Sequence, residues 1–173
     1  MIIWITGLSG AGKTTLGKSI YEFLKKKHEN TMWFDGDTMR EFFDNNKNYD
    51  KNSRLKQYKN MINLVNFCYS QKINIIITAL YFNPYIFKNN KKMFKNYFQI
   101  YLKSNIQNLI NRDNKGIYSK NLNKKKPNIV GYDIKWNVPE GSNLVIENFF
   151  NLKVNKIRNQ IIKKIKKRIN KFN

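Results

Sequence analysis

The chain has 173 residues, enough for one ordinary domain with a real core and too few for two catalytic domains. Its net charge of +22, from 33 Lys and Arg against 11 Asp and Glu, draws anions of every kind and selects none, because the lysines are scattered among Asn and Ile in every segment. A single cysteine and a single histidine exclude a disulfide framework, a zinc cluster and a Cys/His nucleophile, and with no apolar run of about 18 residues and no leader-like start the expectation is a soluble, unprocessed protein of a reducing cytoplasm with no membrane partner.

In chain order, residues 1–6 read as a buried strand and 13–27 as a helix with Leu16, Ile20, Phe23 and Leu24 on one face. A short apolar run, Thr31-Met32-Trp33-Phe34, ends at Asp35-Gly36-Asp37. Residues 55–71 follow as a helix carrying Tyr58, Ile62, Val65 and Tyr69 at helical spacing, and Cys68 within it reads as a buried, inert thiol. In 73–79 the run Ile75-Ile76-Ile77 is apolar on both faces, which is the pattern of a central parallel strand. Asn83-Pro84 opens the next helix, 98–102 reads as a strand and 104–111 as a helix. Periodicity then vanishes from 113 to 138 in a stretch rich in Lys and Asn, too long for an ordinary connection and typical of a functional flap. Leu144-Val145-Ile146 resumes as a last short strand before a basic helix over 153–171, whose Val154, Ile157, Ile161 and Ile165 share a face. This alternation predicts an α/β fold over the single domain 1–173: a doubly wound, mostly parallel sheet flanked by helices, with ligands beyond the carboxyl ends of the strands and a lid over about 113–138.

Gly7-Leu8-Ser9-Gly10-Ala11-Gly12-Lys13-Thr14, followed by Thr15, joins the first strand to the first helix. Glycines let the backbone N–H groups approach phosphate oxygens, and the helix points its positive end at the same place. Lys13 adds a mobile ammonium for the outer phosphates, and Thr14 offers a hydroxyl to magnesium. Strand, motif and helix in this order predict a P-loop that binds ATP with Mg2+. The acceptor is read at Asp35-Gly36-Asp37-Thr38-Met39-Arg40, at the carboxyl end of the second strand and facing the first loop. A carboxylate there can orient or deprotonate an attacking hydroxyl, and Arg40 can fork onto an anionic group. The plainer reading of the same residues is a turn in which Asp35 or Asp37 caps the following helix.

Together these residues resemble the adenylylsulfate kinase family, which transfers the terminal phosphate of ATP to the ribose 3′-hydroxyl of adenosine 5′-phosphosulfate. Residues 7–15 look like its ATP loop, Asp35-Gly36-Asp37 with Arg40 like its acceptor motif, and Arg112-Asp113-Asn114-Lys115-Gly116-Ile117-Tyr118 like the start of its lid. Ile129-Val130-Gly131-Tyr132-Asp133, with Pro139 after it, looks like the end of the lid. The resemblance implies Asp37 as catalytic carboxylate, Arg40 and Arg54 as acceptor anchors, Arg112 as a platform on the ATP base, and Lys115 as a lid cation reaching the phosphates. It also implies small-molecule nucleotide substrates and a homodimer.

The departures from the family pattern fall around the acceptor. Where the family holds adenine between two phenylalanines, this chain has Tyr49 and Ile129; an expected Asn is Gln57, and an expected Ser is Asn83. An aromatic stack contributes about 1–3 kcal/mol per base, so an aliphatic wall weakens an adenine clamp. A branch resembling this family phosphorylates the ribose 3′-hydroxyl of cytidine diphosphoramidate, in a pathway that decorates bacterial capsular polysaccharide, and a smaller pyrimidine with a changed end group suits these substitutions. That acceptor is the expectation, with adenosine 5′-phosphosulfate as the alternative. A kinase of a neutral alcohol would leave Arg40 and Arg54 facing an uncharged group. A nucleic-acid-binding ATPase would use the basic face of 153–171, yet no nucleic-acid module or repeated stacking pattern is present, so nucleic acid is not the expected partner.

Overall fold

The computed structural model describes residues 1–43, 49–80, 83–113, 116–121, 128–147 and 151–169. Its elements follow in the order β1 (Ile2–Gly7), α1 (Lys13–Lys25), β2 (Thr31–Asp35), α2 (Gly36–Phe43), α3 (Lys51–Ser70), β3 (Asn74–Thr78), α4 (Pro84–Met93), β4 (Tyr97–Lys103), α5 (Ile106–Arg112), β5 (Leu144–Glu147) and α6 (Val154–Ile169). The strands form one five-stranded sheet in the order β2-β3-β1-β4-β5, and every pairing is parallel. The expected mostly parallel sheet is thus parallel throughout the described residues.

β1 and β3 are fully buried along their lengths, as their unbroken apolar runs require of strands covered on both faces. One face carries α1 and α6: Leu16, Ile20 and Leu24 of α1 meet Ile157, Ile161, Ile165 and Ile169 of α6 over Ile3, Ile5, Ile76 and Ile100. The apolar stripe of the basic helix is therefore core, and its lysines form the solvated face. The other face carries α3 and α4, where Tyr58, Met61, Ile62, Val65, Ile86 and Phe87 pack over Ile2, Trp4, Ile75 and Ile77. Cys68 is buried there, and burial pushes its thiol pKa up, which keeps it protonated and inert.

Two helices start where the hydrophobic pattern does not show them. α2 turns directly out of β2, with Asp35 Oδ1 accepting the Asp37 N–H at 3.0 Å, so the turn in which Asp35 caps the following helix is the turn that forms. α3 begins at Lys51 rather than near 55 because Asp50 caps it, its carboxylate accepting from the N–H groups of Asn52 and Ser53. Both shifts bring charged residues to the carboxyl edge of the sheet.

Candidate active site

The loop between β1 and α1 takes the form its glycines allow. Gly12 sits at φ 95° as the N-cap of α1, a left-handed conformation that glycine adopts without the cost of a Cβ. Ser9, Gly10, Gly12, Lys13, Thr14 and Thr15 line a cavity of about 690 Å3 beyond the strands. Leu8 and Ala11 turn inward and are buried, so they hold the loop down while its backbone faces the cavity. The Lys13 ammonium donates to the Leu8 carbonyl at 2.9 Å, across the mouth of the loop.

Thr14 and Asp35 meet beneath this loop. The Thr14 hydroxyl donates to Asp35 Oδ2 at 2.9 Å, and the Thr78 hydroxyl donates to the same oxygen at 2.7 Å. Trp33 Nε1 donates in turn to Thr78 Oγ1, which fixes the arrangement from the α1 face of the sheet. The motif had drawn attention to Asp37; Asp35 takes the plainer role that the sequence offered, capping α2, and it also joins α2 to the phosphate loop, a link that sequence reasoning missed. Its signal was its place as the last residue of β2, beside Thr78 in register. A hydroxyl and a carboxylate oxygen are the hard ligands Mg2+ takes when phosphates and water complete its shell, so these residues fit that ion. No group of three or more His, Cys, Asp or Glu among the described residues competes for it.

Across the cavity stand Asp37, Arg40, Tyr49, Arg54, Gln57 and Ile129, all lining it as expected of acceptor residues. The Arg40 guanidinium is buried and lies 4.5 Å from the centroid of the Tyr49 ring, and that of Arg54 lies 5.5 Å from it. Arg54 also donates to the carbonyls of Tyr49 and Asn128, at 2.7 and 2.9 Å, tying α3 to the returning end of the lid. Burial, and then the nearby positive Arg40, push the Arg54 pKa down to about 10, still well charged at neutral pH. Two cations held close together inside a cavity favour an anionic guest. Gln57 donates to the Gly36 carbonyl and so braces the turn that presents Asp37.

The described residues of the stretch expected to be a lid are held by hydrogen bonds and packing. Asp113 accepts from the N–H groups of Tyr118 and Ser119, and a hydrogen bond from the Ser119 side chain, with these backbone bonds after it, holds its carboxyl below the usual range. Tyr118 is buried, its hydroxyl donates to the Ser9 carbonyl at 3.1 Å, and burial beside Asp113 raises its pKa to about 12. Asp133 accepts from the N–H groups of Asn128 and Ile129. Gly131, at φ 92°, passes so close to the loop that a Cβ there would lie 2.9 Å from Leu8 Cδ2. Leu8, Tyr118, Ile129, Val130 and Ile134 form a small apolar cluster, which the polar composition of 113–138 had hidden.

Arg112, the last residue of α5, is exposed and lines the cavity. Lys115 lies outside the described residues. Asn83 is the acceptor candidate that the structure does not bring to the cavity: its side-chain oxygen accepts the Tyr85 N–H at 2.9 Å as the N-cap of α4, because Pro84 behind it supplies no N–H of its own. Trp4 and Tyr58, read from the sequence only as core residues, also line the cavity.

A family model for adenylylsulphate kinase matches residues 1–147. A cytidine diphosphoramidate kinase from Campylobacter jejuni is 41% identical over 147 residues, covering 85% of each chain. A probable adenylyl-sulfate kinase from Aeropyrum pernix is 26% identical over 155 residues, covering 85% of this chain and 82% of its own. Among solved structures, a Mycobacterium tuberculosis APS kinase in complex with AMPPNP and APS superposes with a TM-score of 0.78 over 95% of this chain and 96% of the other, at 17% identity, a likeness of fold. This protein, with its P-loop kinase fold, belongs to the adenylylsulphate kinase family.

Proposed function

We propose that this protein is an ATP-dependent kinase that phosphorylates the ribose 3′-hydroxyl of an activated nucleotide, cytidine diphosphoramidate, in the synthesis of a capsular phosphoramidate. The observation that carries this reading is a single cavity with the phosphate loop on one wall and Asp37, Arg40 and Arg54 on the other. Lys13 and the N-terminus of α1 hold the ATP phosphates, Arg112 supports the ATP base, and Arg40 and Arg54 hold the phosphates of the acceptor. Lys115 reaches the transferred group as the lid over 113–138 closes and excludes water.

The ribose oxygen forms a bond to the γ-phosphorus of ATP as the bond between that phosphorus and the β,γ-bridging oxygen breaks, and ADP leaves. Asp37 orients the hydroxyl and takes its proton. Thr14 and Asp35 are the residues that would hold Mg2+, which when bound neutralises charge on the ATP phosphates. Small nucleotides are the proposed partners, with a homodimer as the assembly.

The cytidine acceptor is supported by the relative of 41% identity and by the wall that Tyr49 and Ile129 offer, one aromatic and one aliphatic. A pyrimidine needs one stacking face there, whereas adenine loses a second. The second reading, adenylyl-sulfate as acceptor, is favoured by the family model and by relatives such as that from Aeropyrum pernix. Transfer of label from γ-labelled ATP to cytidine diphosphoramidate tests the proposal, and the 3′-deoxy form of the same acceptor should remain unlabelled. Labelling of the 3′-deoxy form would place the reaction at another atom.

A further inference from the structure

Trp33 and Thr78 have no part in the chemistry above, yet the hydrogen bonds they make beneath the phosphate loop can run in one direction only. An indole N–H donates and never accepts, so Thr78 Oγ1 is the acceptor of the 2.9 Å bond from Trp33 Nε1. The Thr78 proton is thereby turned to Asp35 Oδ2, at 2.7 Å. The Thr14 proton points to the same oxygen, at 2.9 Å, which leaves the Thr14 lone pairs to a cation held against the loop. On its other oxygen Asp35 accepts the Asp37 N–H at 3.0 Å. The carboxylate thus takes donors from α1, β3 and α2 at once.

Packing leads to the same two residues. Thr78 is 2% exposed and stands opposite Asp35 in the parallel register of β2 and β3, so its bond to the carboxylate is made out of solvent. Gly17, in the middle of α1, sets that helix down on both: a Cβ there would lie 2.1 Å from Thr78 Cγ2 and 3.2 Å from Trp33 Nε1. Glycine inside a helix costs stability relative to alanine, and here it lets the helix that carries Thr14 approach the residues that hold Asp35. One turn further along α1, the Tyr21 ring lies 6.1 Å from that of Trp33.

We propose that Thr78, oriented by Trp33, is a positioning residue for the magnesium site, holding the Asp35 carboxylate against Thr14. The inference rests on the ATP and magnesium reading proposed above. Neither side chain meets the nucleotide in this role; both act through Asp35. Loss of the Thr78 hydroxyl leaves Asp35 Oδ2 with one donor and free to turn from Thr14. The glycines of the loop and Lys13 are untouched, so phosphates without the ion should bind as before.

The test is calorimetric titration of the full chain with AMPPNP, once in EDTA and once in saturating Mg2+, the ratio of the two affinities being the gain that magnesium confers. Thr78→Val keeps the shape of the side chain and removes the hydroxyl; it should cut that gain by about 10-fold and leave the affinity in EDTA unchanged. Thr78→Ser, which restores the hydroxyl, should return most of the gain. Trp33→Phe combined with Thr78→Val removes both partners of the indole bond, so that no donor is stranded, and should show the same cut. A gain equal to that of the wild type in Thr78→Val or in the double variant overturns the proposal. So does an equal loss in EDTA and in Mg2+, which would mean a displaced loop. A Thr78→Ser variant no better than Thr78→Val overturns it too, since packing and not the hydroxyl would be at work. Should the wild-type protein itself show no gain, the ATP and magnesium reading fails, and this inference falls with it.

Discussion

The two walls of the cavity are built in different ways. On the proposed ATP side the surface is backbone: Gly12 in a left-handed conformation, the start of α1, and Leu8 and Ala11 anchoring the loop from beneath. On the proposed acceptor side it is side chains drawn from separate places: Asp37 and Arg40 from α2, Tyr49 from the segment before α3, Arg54 and Gln57 from α3, and Ile129 from the stretch before β5. A backbone site is written in one contiguous run of small residues and tolerates little change. An assembled wall can exchange one residue at a time, which is where specificity can drift while the phosphate chemistry stays fixed.

The largest effect that would break this contrast is expected at Lys13. Lys13→Ala should lower phosphoryl transfer by about 100- to 1,000-fold or more, through lost charge stabilisation, with an unchanged melting temperature. Steady-state kinetics beside a thermal melt would show it, and normal turnover would remove the ATP-site assignment. Asp37→Asn should lower kcat by about 100- to 10,000-fold with little change in acceptor affinity, since the amide still hydrogen-bonds a hydroxyl and cannot take its proton. Near-normal kcat in that variant would leave Asp37 as a residue of the first turn of α2 and nothing more.

Gly131→Ala tests whether the two walls are coupled. A Cβ there meets Leu8 and forces a side chain into a left-handed conformation, costing about 1–2 kcal/mol, so stability should fall and KM for ATP should rise although residue 131 lies in the lid. An unchanged KM for ATP would uncouple the lid from the loop. The smallest effect belongs to Asn83→Ala, which removes the cap of α4 and should cost about 1 kcal/mol of stability in a denaturant titration with the acceptor KM unmoved. A several-fold rise in that KM would return Asn83 to the acceptor site.

The same contrast explains what could be read before the fold was known. The order of the strands, of the helices other than α2, and of the phosphate loop was legible, because unbroken apolar runs and closely spaced glycines leave few alternatives. The start of α3 was missed by a turn because its signal is a single capping carboxylate, Asp50, with no apolar pattern around it. In the lid, Tyr118, Ile129 and Val130 are buried yet lie far apart among Lys and Asn, and only the fold gathers them around Leu8. Asp35 and Asp37 are chemically alike in sequence. They separate only when β3 brings Thr78, and α1 brings Thr14, to the first of them. Trp4 and Tyr58 looked like core because they are core on most of their surface; that they also wall the cavity depends on how α3 crosses the sheet.

If the acceptor wall has changed its guest while the ATP wall has not, one kinetic comparison shows it. With ATP and magnesium held saturating, kcat/KM should be higher for cytidine diphosphoramidate than for adenosine 5′-phosphosulfate, with 3′-phosphorylated product in each case. A higher kcat/KM for adenosine 5′-phosphosulfate would overturn the cytidine reading and give this protein the adenylyl-sulfate kinase activity.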